Sequence, residues 1–326
     1  MTKSAAIRLH TTGSADVLRY EEIDVAAPAA AEVQVRHTAI GLNYIDVYDR
    51  SGLYPLTLPA VLGREAAGVV EAVGPKVKGL RKGDRVAYVD SKPGSYCALR
   101  NVLAERLVKL PKSISDETAA AVMLKGLTAH YLLRRSYRVQ RGDWIVVHAA
   151  AGGVGLLLCQ WGRALGAKVI GVVGSDAKAK LARANGCHHV LLSGAGPLAP
   201  DIRQLTKGAG AAVVYDSVGK DTFMDSLDAI RPLGMMVSYG NASGPPPLIS
   251  PLELSKRGSL FLTRPSLFAY IATRPALESA ARELFRVLAS RKVKVRVDQR
   301  YALKDAAQAH RDLEARRTTG ATVLLP

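Results

Sequence analysis

The residues with the plainest chemical meaning carry almost no side chain. Ala149-Ala150-Ala151-Gly152-Gly153-Val154-Gly155 follows the apolar run Trp144-Ile145-Val146-Val147-His148 and precedes a helical pattern through Leu156, Leu157, Gln160 and Ala164. This is a variant of the dinucleotide fingerprint, with Ala150 in the first glycine's place and Gly152 and Gly155 kept. A middle glycine lets backbone approach a pyrophosphate, and the last lets the helix pack closely on the strand. The helix start then offers N–H groups and partial positive charge to the phosphates. Gly152, Gly153 and Val154 are the expected pyrophosphate contacts. A tight turn without a ligand is the competing reading, and the position inside a strand–helix–strand unit argues against it.

The end of the next strand reports on the cofactor. Lys168 to Val173 is a second apolar run, followed by Gly174-Ser175, with Lys178 one turn further on. NAD enzymes place a carboxylate there for the ribose hydroxyls. Here none ends the strand and an ammonium is close, which favours a 2′-phosphate and so NADPH. Asp176 is read as a helix cap. Lys178 also has a bland reading, as an ordinary exposed helix lysine.

The other reactive side chains narrow the field. Cys97, Cys159 and Cys187 are far apart, with no Cys-x-x-Cys pair, which points to a reducing compartment, with the cytoplasm as the default. No apolar stretch is long enough for a membrane span. The formal charge of +17 is spread along the chain. It is read as a basic solvated surface, with nucleic-acid binding as the alternative.

These residues need a frame to hold them. Residues 1–125 read as strands and turns: Glu32 to His37 alternates with period two, Gly52, Pro55, Pro59, Gly63 and Gly68 punctuate the stretch after it, and Gly83-Asp84 turns into a further strand. From about Lys125 strands alternate with helices, through strands at 144–149, 168–173, 189–192, 212–215, 234–238 and 258–263. That alternation implies a parallel sheet with right-handed crossovers. After Arg264 it stops, and helices near 275–290 and 304–316 precede a last strand at 321–325, a tail expected to pack back onto the N-terminal part. The fold class is therefore α/β, a doubly wound Rossmann sheet at 126–264 inserted in a β-rich substrate domain made of 1–125 and 265–326.

Several long segments resemble the medium-chain dehydrogenase/reductase superfamily, most closely its zeta-crystallin-like quinone oxidoreductases. They are Gly41-Leu42-Asn43-Tyr44-Ile45-Asp46, Arg50 to Pro55, Gly63-Arg64-Glu65-Ala66-Ala67-Gly68, Lys125-Gly126-Leu127-Thr128, His148 to Gly155, Val214 to Gly219 and Thr263 to Leu267. The resemblance implies a GroES-like form for the β-rich domain. Zinc members carry a Cys near the first segment and a His in the third, where this chain has Asn43 and Arg64. Neither is a zinc ligand, the three cysteines cannot build a four-cysteine lobe, and no His-x-x-x-His spacing occurs, so no metal is expected. Without a Lewis acid for an alkoxide, an easily reduced acceptor is required, and a quinone is one.

The resemblance further implies that Asn43, Tyr48 and Tyr54 line the cleft beside the nicotinamide. The tyrosines would donate to a developing oxyanion and offer ring faces, against a plain packing role. Asn43 would chiefly orient the cofactor. Thr128, Ser193, Ser217, Tyr239, Asn241, Arg264 and Arg316 are implied cofactor contacts. Ser193 stands where many relatives have a tyrosine that binds the phosphate, which weakens the inferred selectivity for NADPH. Homodimers through Rossmann edge strands are implied, with Leu260-Phe261-Leu262 as the edge. The activity expected is NADPH-dependent quinone reduction. Reduction of enone or alkenal double bonds is the alternative, and an RNA-binding, crystallin-like protein a minor one.

Overall fold

The computed structural model describes residues 1–194 and 196–326. It divides into two compact units, one of residues 1–127, 271–289 and 295–326, the other of 128–270 and 290–294.

The first unit begins with β1 (Thr2–Leu9), β2 (Leu18–Val25) and β3 (Glu32–Leu42), then a helix, α1 (Tyr44–Ser51). It continues through β4 (Ala60–Val61), β5 (Glu65–Val73), β6 (Arg85–Val89), β7 (Leu99–Leu103) and β8 (Leu107–Lys109) to a second helix, α2 (Asp116–Tyr131), whose residues from Thr128 on belong to the second unit. Both helices depart from the reading of 1–125 as strands and turns. α1 is rich in aromatic and β-branched residues that disguise it, and α2 is apolar around most of its circumference, so it shows little amphipathic period. β3 pairs antiparallel with β5, and their inward residues, among them Val33, Val35, Ile40, Ala66 and Val70, form one core with Tyr88 and Tyr96.

The second unit runs β9 (Trp144–His148), α3 (Gly153–Ala164), β10 (Lys168–Val173), α4 (Asp176–Ala184), β11 (His189–Leu192), α5 (Ala199–Leu205), β12 (Ala211–Asp216), α6 (Phe223–Asp228), β13 (Ile230–Ser238), α7 (Leu252–Lys256), β14 (Phe261–Thr263) and α8 (Leu267–Tyr270). Its strands form one parallel sheet ordered β11-β10-β9-β12-β13-β14. This is the doubly wound order, and the direction of strand succession reverses between β9 and β12. β14 is shorter than the sequence reading, because Gly258 and Ser259 both take positive φ and turn the chain first.

The tail supplies α9 (Arg274–Ala289), β15 (Val297–Ala302), α10 (Ala306–Glu314) and β16 (Ala321–Leu325). β16 adds to β3 antiparallel, with Thr322 opposite Leu42, so the tail completes the first unit's sheet. Among the described residues no helix is long and apolar enough to cross a membrane.

Buried ionisable groups give the first unit a marked pH dependence. Burial pushes His37 down to about 4 and His310 down to about 3. Both stay neutral in the folded chain while their unfolded counterparts take up protons below about 6.5, so stability is lost as pH falls from there. Burial also pushes Asp46 up to about 7. The folded chain then keeps a proton that the unfolded chain has released above about 4, so this group lowers stability as pH rises towards 7. Two histidines outweigh one aspartate on the acid side. Urea midpoints are expected to climb from pH 4 to about 6.5, and less steeply in His37→Gln. An identical slope in that variant would contradict the assignment.

Candidate functional site

In the second unit, β9 ends at His148 and the chain turns at Ala149, with φ of 50°. Gly152 caps α3 with extended backbone and no side chain to satisfy the first N–H groups of the helix. The turn is tied to the sheet by Ala150 N–H donating to Val172 O at 3.1 Å. A Cβ at Gly155 would lie 2.2 Å from Ala149 O and 2.8 Å from Ala150 Cα, so only glycine lets the helix begin this close to the strand. The result is a helix start whose N–H groups face no capping side chain, which suits a pyrophosphate.

At the end of β10, a Cβ at Gly174 would meet Ser193 Oγ at 3.7 Å, an ordinary van der Waals contact. The cap of α4 is Ser175, whose Oγ accepts from Lys178 N at 3.4 Å. This corrects the reading of Asp176 as the cap: it occupies the first helical position, where a carboxylate complements the helix dipole. Gly174 and Ser175 follow β10 and Ser193 follows its neighbour β11, its N–H donating to Val173 O at 2.8 Å, while Lys178 lies in the first turn of α4.

The strand on the other side of the reversal ends at Asp216, fully buried. Its Oδ1 accepts from Val218 N at 2.7 Å and Gly219 N at 3.1 Å, and its Oδ2 from Thr222 Oγ1 at 2.7 Å and Ser226 Oγ at 3.2 Å. Four bonds on one carboxylate fix the turn that presents Ser217. Ser226 Oγ is also 2.9 Å from His148 Nε2, which joins the ends of β9 and β12. Sequence reading missed this Asp216–Ser226–His148 brace, since its members stand in three separate elements. Beyond β13, Arg264 Nη1 donates to Ser238 O at 2.9 Å and, with the Asn241 amide turned to satisfy both partners, its Nη2 donates to that side chain at 3.2 Å. Tyr239, Asn241 and Arg264 therefore share one corner. Thr128 is buried on α2.

The first unit gathers the other predicted residues. Tyr48 packs against Tyr54 and Tyr44 with ring centroids 5.3 Å apart in each pair. Tyr44 belongs to this aromatic group and was not singled out from sequence. Arg316 lies in this unit, near enough to Tyr44 to offset part of the burial that raises its hydroxyl pKa. The structure thus places Arg316 in a different unit from the glycine turn.

Asn43 starts α1, and its backbone N–H donates to Asp46 Oδ2 at 2.9 Å. The side chain turns elsewhere. Its Oδ1 accepts from Lys125 Nζ at 2.7 Å and its Nδ2 donates to Glu65 Oε1 at 2.7 Å. Lys125 Nζ also donates to Leu42 O at 3.0 Å and Glu65 Oε1 at 3.1 Å. Arg64, where zinc members have a histidine, forms a two-pronged pair with buried Asp49, both bonds at 2.8 Å. Among the described residues no group of three His, Cys, Asp or Glu is arranged to hold a metal ion. A groove of about 760 Å3 also lies in this unit, lined by Lys78, Lys109, Arg274 and Phe285 among others, and none of the predicted residues borders it.

Residues 29–139 match the family described as alcohol dehydrogenase GroES-like domain, and residues 153–286 that described as zinc-binding dehydrogenase. The chain is 50% identical to a quinone oxidoreductase of Pseudomonas aeruginosa, over 98% of this chain and 99% of that one. It is 42% identical to a 2-haloacrylate reductase of a Burkholderia species, over 98% of each. The crystal structure of the Escherichia coli quinone oxidoreductase complexed with NADPH superposes with a TM-score of 0.97 at 47% identity, covering 99% of this chain and 100% of that one. The chain belongs to the quinone oxidoreductases of the medium-chain dehydrogenase/reductase superfamily.

Proposed function

We propose that this protein reduces quinones with NADPH. The observation that carries the reading is the uncapped helix start at Gly152, together with a β10 end where Ser175 caps α4 and no carboxylate stands on the strand itself. It is supported by likeness, over nearly the whole chain, to a quinone oxidoreductase crystallised with NADPH.

Gly152, Gly153 and Val154 hold the pyrophosphate on this reading, and Gly174, Ser175, Lys178 and Ser193 the adenosine phosphate. Ser217, Tyr239, Asn241, Arg264, Thr128 and Arg316 complete the cofactor contacts. When bound, NADPH supplies the reducing equivalents. Tyr48 and Tyr54 offer hydroxyl donors and ring faces to the acceptor, and Asn43 orients the reacting end of the cofactor. The demand on the protein is mainly alignment, because a quinone delocalises the charge it receives.

Likeness to a 2-haloacrylate reductase favours a second reading, reduction of activated carbon–carbon double bonds. Steady-state rates with ortho- and para-quinones, enones and 2-haloacrylates, each with NADPH and NADH, separate the two. Quinone turnover with a preference for NADPH supports the first; turnover of double-bond acceptors alone supports the second and ends the first.

The proposal extends to assembly in a reducing, cytoplasmic setting. Among the described residues β14 pairs only with β13, and Phe261 and Leu262 on it are exposed. An exposed apolar edge strand is a liability unless it is paired, so a second copy is proposed to pair there. Phe261→Lys is expected to convert a dimer to a monomer in sedimentation velocity. An unaltered sedimentation coefficient would contradict pairing through this edge.

A further inference from the structure

Lys125 is a buried lysine in the middle of an apolar helix, and all three of its N–H donors point at oxygens of one small cluster: Leu42 O, Asn43 Oδ1 and Glu65 Oε1. Glu65 is fully buried, its Oε1 shared by Lys125 and Asn43 Nδ2 while its Oε2 accepts from Leu124 N at 2.5 Å. Space for this carboxylate is left by Gly41, where a Cβ would stand 2.2 Å from Glu65 Oε1.

A buried ion pair adds little stability over an apolar pair of the same size, so stability alone does not account for it. Its geometric effect is specific. The two ends of an asparagine amide are nearly the same shape and differ only in hydrogen-bond sense. Lysine can only donate and an ionised glutamate can only accept. With Lys125 on one end and Glu65 on the other, a single orientation of the Asn43 amide satisfies both. Its backbone N–H is held by Asp46 as well. One N–H of Nδ2 is then the only polar hydrogen of Asn43 that the cluster leaves for a ligand.

We propose that Lys125 and Glu65 are positioning residues that lock the Asn43 amide so that its remaining N–H donates to the acceptor oxygen on which charge builds during reduction. This rests on the reading of the chain as an NADPH-dependent reductase. A donor fixed beforehand is worth most where charge develops, because nothing has to reorganise as it appears.

The test is a double-mutant cycle with Lys125→Met and Asn43→Ala, run on whichever acceptor the wild type reduces, so that failure of the quinone reading and failure of this inference remain distinct. Lys125→Met is expected to lower kcat on the order of ten- to a hundredfold, with the Kd of NADPH changed less than about threefold. It is expected to have no further effect once Asn43 is alanine. Rates across acceptors of falling reduction potential are expected to drop more steeply than in wild type, a trend that a merely structural loss would not produce. In 1H–15N spectra of the unliganded protein, the shift difference between the two Asn43 side-chain N–H protons is expected to shrink in Lys125→Met towards that of a solvent-exposed asparagine. Should Lys125→Met fail to fold, Lys125→Met/Glu65→Gln removes both charges and leaves neither orphaned. Independent, multiplying effects of the two positions on kcat, or unchanged Asn43 signals, would overturn the proposal.

Discussion

Gly155→Ala is expected to weaken NADPH binding on the order of a hundredfold, about 3 kcal/mol. The added Cβ would sit 2.2 Å from Ala149 O and 2.8 Å from Ala150 Cα, both backbone atoms at the turn. Neither can yield as a flexible side chain does, because Ala150 N–H is bonded to Val172 O and Gly152 N–H to Ala149 O. The start of α3 has to move away from β9, carrying with it the N–H groups proposed for the pyrophosphate. Fluorescence titration with NADPH reads the effect directly. Binding within twofold of wild type would show that the position of the helix start does not govern affinity. Some loss of stability is expected alongside, since forcing extra volume into a packed site is itself unfavourable.

Arg64→Leu has the largest expected effect on stability. It removes the guanidinium that meets both oxygens of Asp49 and leaves that carboxylate fully buried. Breaking one side of such a pair costs about 3 to 5 kcal/mol, whereas replacing both partners by apolar residues can be close to neutral. The denaturation midpoint of Arg64→Leu should therefore fall sharply, and Asp49→Leu/Arg64→Leu should recover much of the loss. A single variant as stable as wild type would mean that Asp49 has another partner or takes up a proton at little cost.

The Rossmann unit was legible because its signals are local. Strands buried on both faces read as continuous apolar runs, as in Ile145-Val146-Val147, and the glycine turn announces its own position between strand and helix. The first unit hid its helices for opposite reasons. Tyr44-Ile45-Asp46-Val47-Tyr48 has the composition of a strand, although Asn43 and Asp46 stand at the three-residue spacing of a helix start, a signal that could have found α1. α2 has Ala119 to Met123 wholly buried, so it presents no polar face to give a period. The Lys125–Glu65–Asn43 cluster was visible only in part. All three residues lie in segments that carried the family resemblance, yet only Asn43 received a role, because the contacts join positions far apart in the chain. The warning sign was Lys125 itself, a charge within an apolar helix, which is rarely buried without a partner. Tyr48 and Tyr54 were named through the resemblance, and Tyr44 packs against Tyr48 because α1 is a helix, which sets positions four apart on one face.

The central claim is that NADPH bound through the Gly152 turn reduces quinones. Its most direct test is an anaerobic single turnover, in which the protein loaded with one equivalent of NADPH is mixed with a para-quinone and followed at the nicotinamide absorbance. The prediction is loss of that absorbance with matching formation of hydroquinone, slowed in Gly155→Ala under the same cofactor concentration. Persistence of bound NADPH in the presence of every quinone tried, with oxidation only by enones or 2-haloacrylates, would contradict it.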